Sequence, residues 1–168
     1  MKNIKSKGEY KRIKHTFDPV FDSNSRILIL GSLPSVKSRE EGFYYGHPRN
    51  RFWKVISSIY GYDEPKTVEE KKKMLIESNI AVWDVIDSCD IIGSSDSSIK
   101  NVEVTDLGRV LDNCDIEHIF ANGKAAGKLY SKFSEQKIGR PIIELPSTSP
   151  ANAAYTLEKL IEAWKIIK

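Results

Sequence analysis

Four short apolar runs punctuate the chain. They are Arg26-Ile27-Leu28-Ile29-Leu30-Gly31, Ile80-Ala81-Val82-Trp83-Asp84-Val85, His118-Ile119-Phe120-Ala121-Asn122 and Pro141-Ile142-Ile143-Glu144-Leu145. Their apolar positions are nearly continuous rather than alternating, which predicts strands buried on both faces of a parallel sheet. Between them the period becomes helical. Residues 51–60 put Phe52, Val55, Ile56 and Ile59 on one face. Residues 67–78 form a charged pattern with Met74 and Leu75 facing inward. Residues 102–113 carry Val104, Leu107, Val110 and Leu111, residues 124–133 are short and rich in small side chains, and residues 153–167 align Leu157, Leu160, Ile161 and Trp164. Strands alternating with helices predict an α/β fold, a three-layer α/β/α sandwich around a central four-stranded parallel sheet. Ligands of such sheets bind beyond the carboxyl ends of the strands. The segments to inspect therefore follow Leu30, Val85, Asn122 and Leu145, together with residues 92–101, a small, polar stretch expected to be a loop at the same edge.

Composition narrows this picture. The chain has 168 residues, 40% of them hydrophobic, which suits one core-forming domain over residues 21–168. Residues 1–20 read as a basic arm: Lys2, Lys5, Lys7, Lys11, Arg12 and Lys14 are opposed by Glu9 alone among the first fourteen positions. Such an arm suits either phosphate contact or a solvated terminus. The formal net charge of +3 adds little to that. No apolar run has the length of a membrane span and the N-terminus lacks an apolar signal core, so a soluble, cytoplasmic monomer is expected. Cys89 and Cys114 match no zinc spacing and are too few for an iron–sulfur cluster. His15, His47 and His118 also lack ligand spacing, so neither metal nor cofactor is expected.

Three segments at the predicted sheet edge carry candidate chemistry. Gly31-Ser32-Leu33-Pro34-Ser35 forms a tight turn without the glycine pattern of a dinucleotide or P-loop site. Gly42-Phe43-Tyr44-Tyr45-Gly46-His47-Pro48-Arg49-Asn50-Arg51-Phe52-Trp53 combines aromatic rings able to stack on bases with basic residues and one amide. Asn50 precedes a helical run, so it also fits a helix cap. Leu145-Pro146-Ser147-Thr148-Ser149-Pro150-Ala151-Asn152 is stiffened by two prolines and offers three consecutive hydroxyls, either to a phosphate or to the start of the last helix.

In combination and order these segments resemble the uracil-DNA glycosylase superfamily, and within it the hypoxanthine-DNA (deoxyinosine) glycosylases. The matching stretches include Gly46-His47-Pro48-Arg49-Asn50, Trp83-Asp84-Val85, Ser95-Asp96-Ser97 and residues 146–152. The resemblance implies a monofunctional enzyme that flips a deaminated base, hypoxanthine first, out of double- or single-stranded DNA and hydrolyses its N-glycosidic bond. Uracil or mixed specificity, and a non-catalytic nucleic-acid-binding module, are the alternatives. It implies that Asn50 is catalytic, its carbonyl holding the attacking water. Ser32, Leu33, Tyr44, Tyr45, His47, Asp84 and Asp96 would surround the base, with either tyrosine stacking on it and either aspartate reading its edge. Arg49, Arg51, Ser147, Thr148, Ser149, Pro150, Ala151 and Asn152 would hold the DNA. One departure stands out: Leu33 occupies the place where most of the superfamily has an Asp or Asn, which shifts the catalytic burden to Asn50 and favours the deoxyinosine branch.

Overall fold

The computed structural model describes residues 8–168. In chain order the elements are β1 (Lys11–Lys14), β2 (Ile27–Gly31), α1 (Val36–Glu41), α2 (Phe52–Tyr60), α3 (Val68–Glu77), β3 (Ile80–Asp84), β4 (Ile86–Ile91), β5 (Lys100–Val104), α4 (Gly108–Leu111), β6 (His118–Asn122), α5 (Lys124–Phe133), α6 (Glu135–Ile138), β7 (Ile143–Leu145) and α7 (Leu157–Trp164). The four apolar runs form one parallel sheet in the order β3-β2-β6-β7. Every residue of β2 and β3 is buried, as the unbroken apolar pattern requires.

The chain moves from β2 outward to β3, then crosses back over to β6 and β7. Right-handed crossovers in opposite directions put their helices on opposite faces of the sheet, giving the three layers. They also open a crevice at the carboxyl ends of β2 and β6, where the winding reverses. α2 and α7 are amphipathic and pack on each other, with Phe52 edge-on to Trp164 at 6.0 Å between ring centres. Both rings are completely buried. α3 is closed by a reciprocal cap in which Thr67 accepts from the Glu70 amide and Glu70 accepts from the Thr67 amide.

One expectation is corrected. Residues 102–113 are not one helix. Residues Lys100–Val104 are a strand, and the helix is confined to Gly108–Leu111. β5 pairs antiparallel with β4, and Val102 packs on the small cluster of Ile86, Cys89 and Ile91, so a tertiary partner overrides a helical period that α4 keeps at Val110 and Leu111. Within the basic arm, residues Lys11–Lys14 form a strand. Lys2, Lys5 and Lys7 lie outside the described residues, but β1 pairs antiparallel with β4, completing a second sheet in the order β1-β4-β5. Arg12 does not reach outward there: it donates to the Asn101 carbonyl at 2.6 Å and the Ser88 hydroxyl at 3.1 Å and lies 3.4 Å from Glu103. Among the described residues no helix is long and apolar enough to cross a membrane.

Candidate active site

A cavity of about 900 Å³ opens at the carboxyl edge of the parallel sheet. Gly31 and Asp84 border it from the ends of β2 and β3, Asn122 from the end of β6, and Leu145 from the end of β7. Two walls border it.

The first wall is built at the paired ends of β2 and β3, where register places Gly31 beside Asp84. Asp84 is 3% exposed, and its Oδ2 sits 2.8 Å from Nε2 of His15, itself buried. A buried carboxylate is costly unless paired and hydrogen-bonded, and His15 supplies that partner. Asp84 Oδ1 points toward Gly31: a Cβ on this glycine would collide with it and come 3.2 Å from the Tyr45 hydroxyl. Glycine is thus the residue that lets the carboxylate and the phenol approach one strand end. Tyr45 adopts φ 51°, an uncommon conformation for a bulky residue, and its ring stacks on Phe52 at 4.1 Å and 24°. Its hydroxyl lies near Asn122 but is buried without a hydrogen-bond partner among the described residues. Burial first, and the Asp84 charge second, hold this phenol far above the ordinary tyrosine range, so it is a neutral donor.

The second wall joins the start of α2 to the segment after β7. Asn50 Oδ1 accepts from the Phe52 amide at 2.9 Å and from the Thr148 hydroxyl at 2.8 Å. Thr148 is fully buried; it accepts from Asn122 Nδ2 at 3.0 Å, while its own amide donates to Asn122 Oδ1 at 3.0 Å. Because a backbone N–H can only donate, the Phe52 contact fixes which end of the Asn50 amide is oxygen. Both acceptor positions of that oxygen are used. What Asn50 retains for a ligand is its NH2 group, for which the described residues provide no acceptor. The carbonyl expected to hold the water is thus already engaged twice within the protein. Cap and site residue are compatible roles here, since the oxygen caps and the nitrogen remains free.

The other predicted residues divide clearly. Ser32, Leu33, Tyr44, Asp96, Ser147, Ser149, Ala151 and Asn152 all border the cavity. Tyr44, however, is 2% exposed, donates to the Asp18 carbonyl at 2.9 Å and packs edge-on to Phe17 and Phe43, so it belongs to the core and Tyr45 is the tyrosine left for a ligand. Asp96 sits on an exposed loop, although neighbouring protein desolvates its carboxyl and raises its pKa. His47, Arg49 and Pro150 lie outside the lining; His47 Nδ1 accepts from the Arg49 amide at 3.0 Å inside a turn. Arg51 turns inward instead of toward phosphate. Its guanidinium donates to the carbonyls of Thr148, Ser149, Asn152 and Tyr155, stapling the 147–155 segment to the start of α2. Thr148 is spent in the same way. Ser147 and Ser149 accept from the amides of Ser149 and Ala151, which shapes the loop and leaves both residues at the cavity rim. His15 and Asn122 were missed as site residues. His15 lay in the supposed arm, and Asn122 stood out only as the last residue of a strand.

A doubly wound sheet with a polar-walled cavity at its switch point, one wall a buried carboxylate and phenol and the other a pinned amide, is a ligand-binding α/β domain suited to a flat, hydrogen-bonding group. Comparison with known proteins makes this specific. The family model described as Uracil DNA glycosylase superfamily matches residues 19–168. A protein of Methanosarcina acetivorans named hypoxanthine DNA glycosylase is 34% identical over 157 residues, covering 92% of this chain and 98% of the relative. One of the same name from Methanosarcina barkeri is 36% identical over 117 residues, covering 68% and 74%. A solution structure from Methanosarcina acetivorans, named provisionally as a uracil DNA glycosylase, superposes with a TM-score of 0.72 at 32% identity, covering 90% of this chain and 96% of that one. The chain belongs to the uracil DNA glycosylase superfamily and is a DNA N-glycosylase by class.

Proposed function

We propose that the protein excises hypoxanthine from DNA, with Asp84 and Tyr45 reading the base and Asn50 serving the hydrolysis. The observation that carries this is the pairing of an acceptor with a neutral donor beside Gly31: Asp84 Oδ1 and the unpartnered Tyr45 hydroxyl. Hypoxanthine presents N1–H next to a carbonyl oxygen, the complement of that pair. Adenine presents a bare N1 next to an amino group, the reverse, and would leave the buried polar atoms unmatched. Deamination is the change that turns one pattern into the other. The names of the Methanosarcina relatives support the same base.

A base within the duplex must be flipped to enter the cavity, at a cost of a few kcal/mol that a poor pair reduces. Tyr45 stacks on it. The C1′–N9 bond breaks with its electron pair passing to the base; the water oxygen then bonds C1′, and a water proton ends on the base. Asn50 Nδ2 donates to that water and fixes its position. An amide so used is no base, so orientation and electrostatics supply the rate. Ser147, Ser149, Ala151 and Asn152 hold the strand at the rim, and the enzyme acts as a monomer in the cytoplasm.

The test is strand scission by alkali after incubation with duplexes holding one deoxyinosine or one deoxyuridine. Deoxyinosine is the expected substrate, and Asn50→Ala should lose about 10²-fold or more in rate while still binding DNA. Cleavage mainly at deoxyuridine would overturn the base assignment. Binding without cleavage at either lesion would overturn catalysis.

A further inference from the structure

A second concavity, of about 540 Å³, lies beside the active-site cavity and shares Asp96 and Ala125 with it. The two therefore adjoin at the first turn of α5. Lys128 and Lys132 follow one another at helical spacing on this groove's wall, and Lys100 of β5 faces it from the other sheet. Lys124, one further step back on the same stripe, borders the active-site cavity. From Lys124 to Lys132 the helix rises ~12 Å, close to three stacked nucleotides at ~3.4 Å each. Among the described residues none of Lys100, Lys128 and Lys132 is in an ion pair. The floor is apolar, with Val102 and Leu129, and Phe133 lies at the margin 37% exposed under the Lys132 ammonium, 5.0 Å from its ring centre.

We infer that this groove takes the unpaired DNA strand that continues from the flipped nucleotide. The inference rests on the glycosylase reading of the adjoining cavity. Lysines alone on an open face would suit the phosphates of a duplex. Here they border a concave, apolar floor with an exposed aromatic ring, and a base reaches such a floor only when it is unpaired. Positive charge that tracks a backbone, combined with rings on which bases stack, is the chemistry of single-strand binding. The groove therefore gives the enzyme a grip on deaminated bases in locally single-stranded DNA that duplex substrates do not use.

Fluorescence anisotropy should be measured with single strands carrying deoxyinosine at one end, so that the extension runs only 5′ or only 3′, and with the same strands lacking the lesion. Duplex of equal length is the control. The doubly substituted Lys128→Ala/Lys132→Ala protein should lose affinity for one polarity of extension, and the slope of log affinity against log salt should shrink by about 1.4, or ~0.7 for each phosphate released. Phe133→Ala should weaken the same strand about tenfold. Duplex binding and duplex excision should stay at the parent level. Unchanged single-strand binding, or an equal loss for duplex, overturns the inference. If the parent protein binds these strands as described but excises nothing, the groove stands and the glycosylase reading of the cavity falls.

Discussion

The two walls of the cavity solve opposite problems. On the Asn50 side the polar atoms are nearly saturated. Thr148 is held by Asn50 and Asn122, Arg51 ties four loop carbonyls, and the Asn50 NH2 group is left over among these side chains. On the Asp84 side the accounting is left open: His15 secures one carboxylate oxygen, while the other oxygen and a buried phenol await a partner. A saturated network gives rigidity, because each group loses a bond if any other moves. An unsatisfied pair gives discrimination, because the wrong base leaves it unsatisfied. On the proposed reading, one wall positions and the other recognises.

The sharpest way to break this comparison is Asn50→Asp. The carboxylate keeps both accepted hydrogen bonds but replaces the free donor with an acceptor. If the wall delivers a donor, single-turnover excision should fall about 10²-fold with thermal stability near the parent's. Retained activity would mean that a carbonyl-type oxygen serves the water after all. Thr148→Val comes next, since it strips the link between the two asparagines. Stability should drop by about 1–3 kcal/mol in denaturant titration. The loosened amide should lower kcat about tenfold and leave KM nearly unchanged. A change confined to KM would move Thr148 to the recognition side.

Gly31→Ala probes the opposite wall. The added methyl displaces Asp84 Oδ1, so KM for deoxyinosine duplex should rise several-fold, about tenfold at most, with kcat less affected. A loss of kcat at constant KM would contradict the division of labour. The smallest effect expected is spectroscopic. Burial and the Asp84 charge raise the Tyr45 pKa, so its phenol should stay neutral when the alkaline transition of tyrosine passes at about pH 10. Tyr45→Phe should then leave the amplitude of that absorbance transition in the native protein unchanged. The linked sign is definite: a raised native pKa gives stability that is full below about pH 10 and declines above it, as the unfolded chain ionises and the native one does not. Tyr45→Phe should flatten that decline.

Much of the parallel sheet was legible because its strands are buried on both faces and so read as unbroken apolar runs; the predicted 118–122 strand and 124–133 helix coincide with β6 and α5. The second sheet was hidden for the same kind of reason. β4 is largely buried but interrupts its apolar residues with Asp87, Ser88 and Asp90, β5 is largely exposed, and β1 is a basic tetrapeptide whose strand state depends on the β4 edge beside it. At the site, the resemblance singled out Asn50, Tyr45 and Asp84, all of which border the cavity. It set Arg51 and Thr148 toward DNA, whereas in the fold the one bonds loop carbonyls and the other the Asn50 and Asn122 side chains; a guanidinium or hydroxyl near a loop reads the same in sequence either way.

Sequence alone determined the four-stranded sheet, the edge at which the ligand must bind and the family, since these follow from periodicity and from short contiguous motifs. Tertiary structure decided which atom of Asn50 is free, which tyrosine is core, and that His15, 69 positions from Asp84, holds its carboxylate. Those outcomes depend on donors and acceptors brought together from distant strands. Burial forces such groups to pair, and only the folded packing settles with whom.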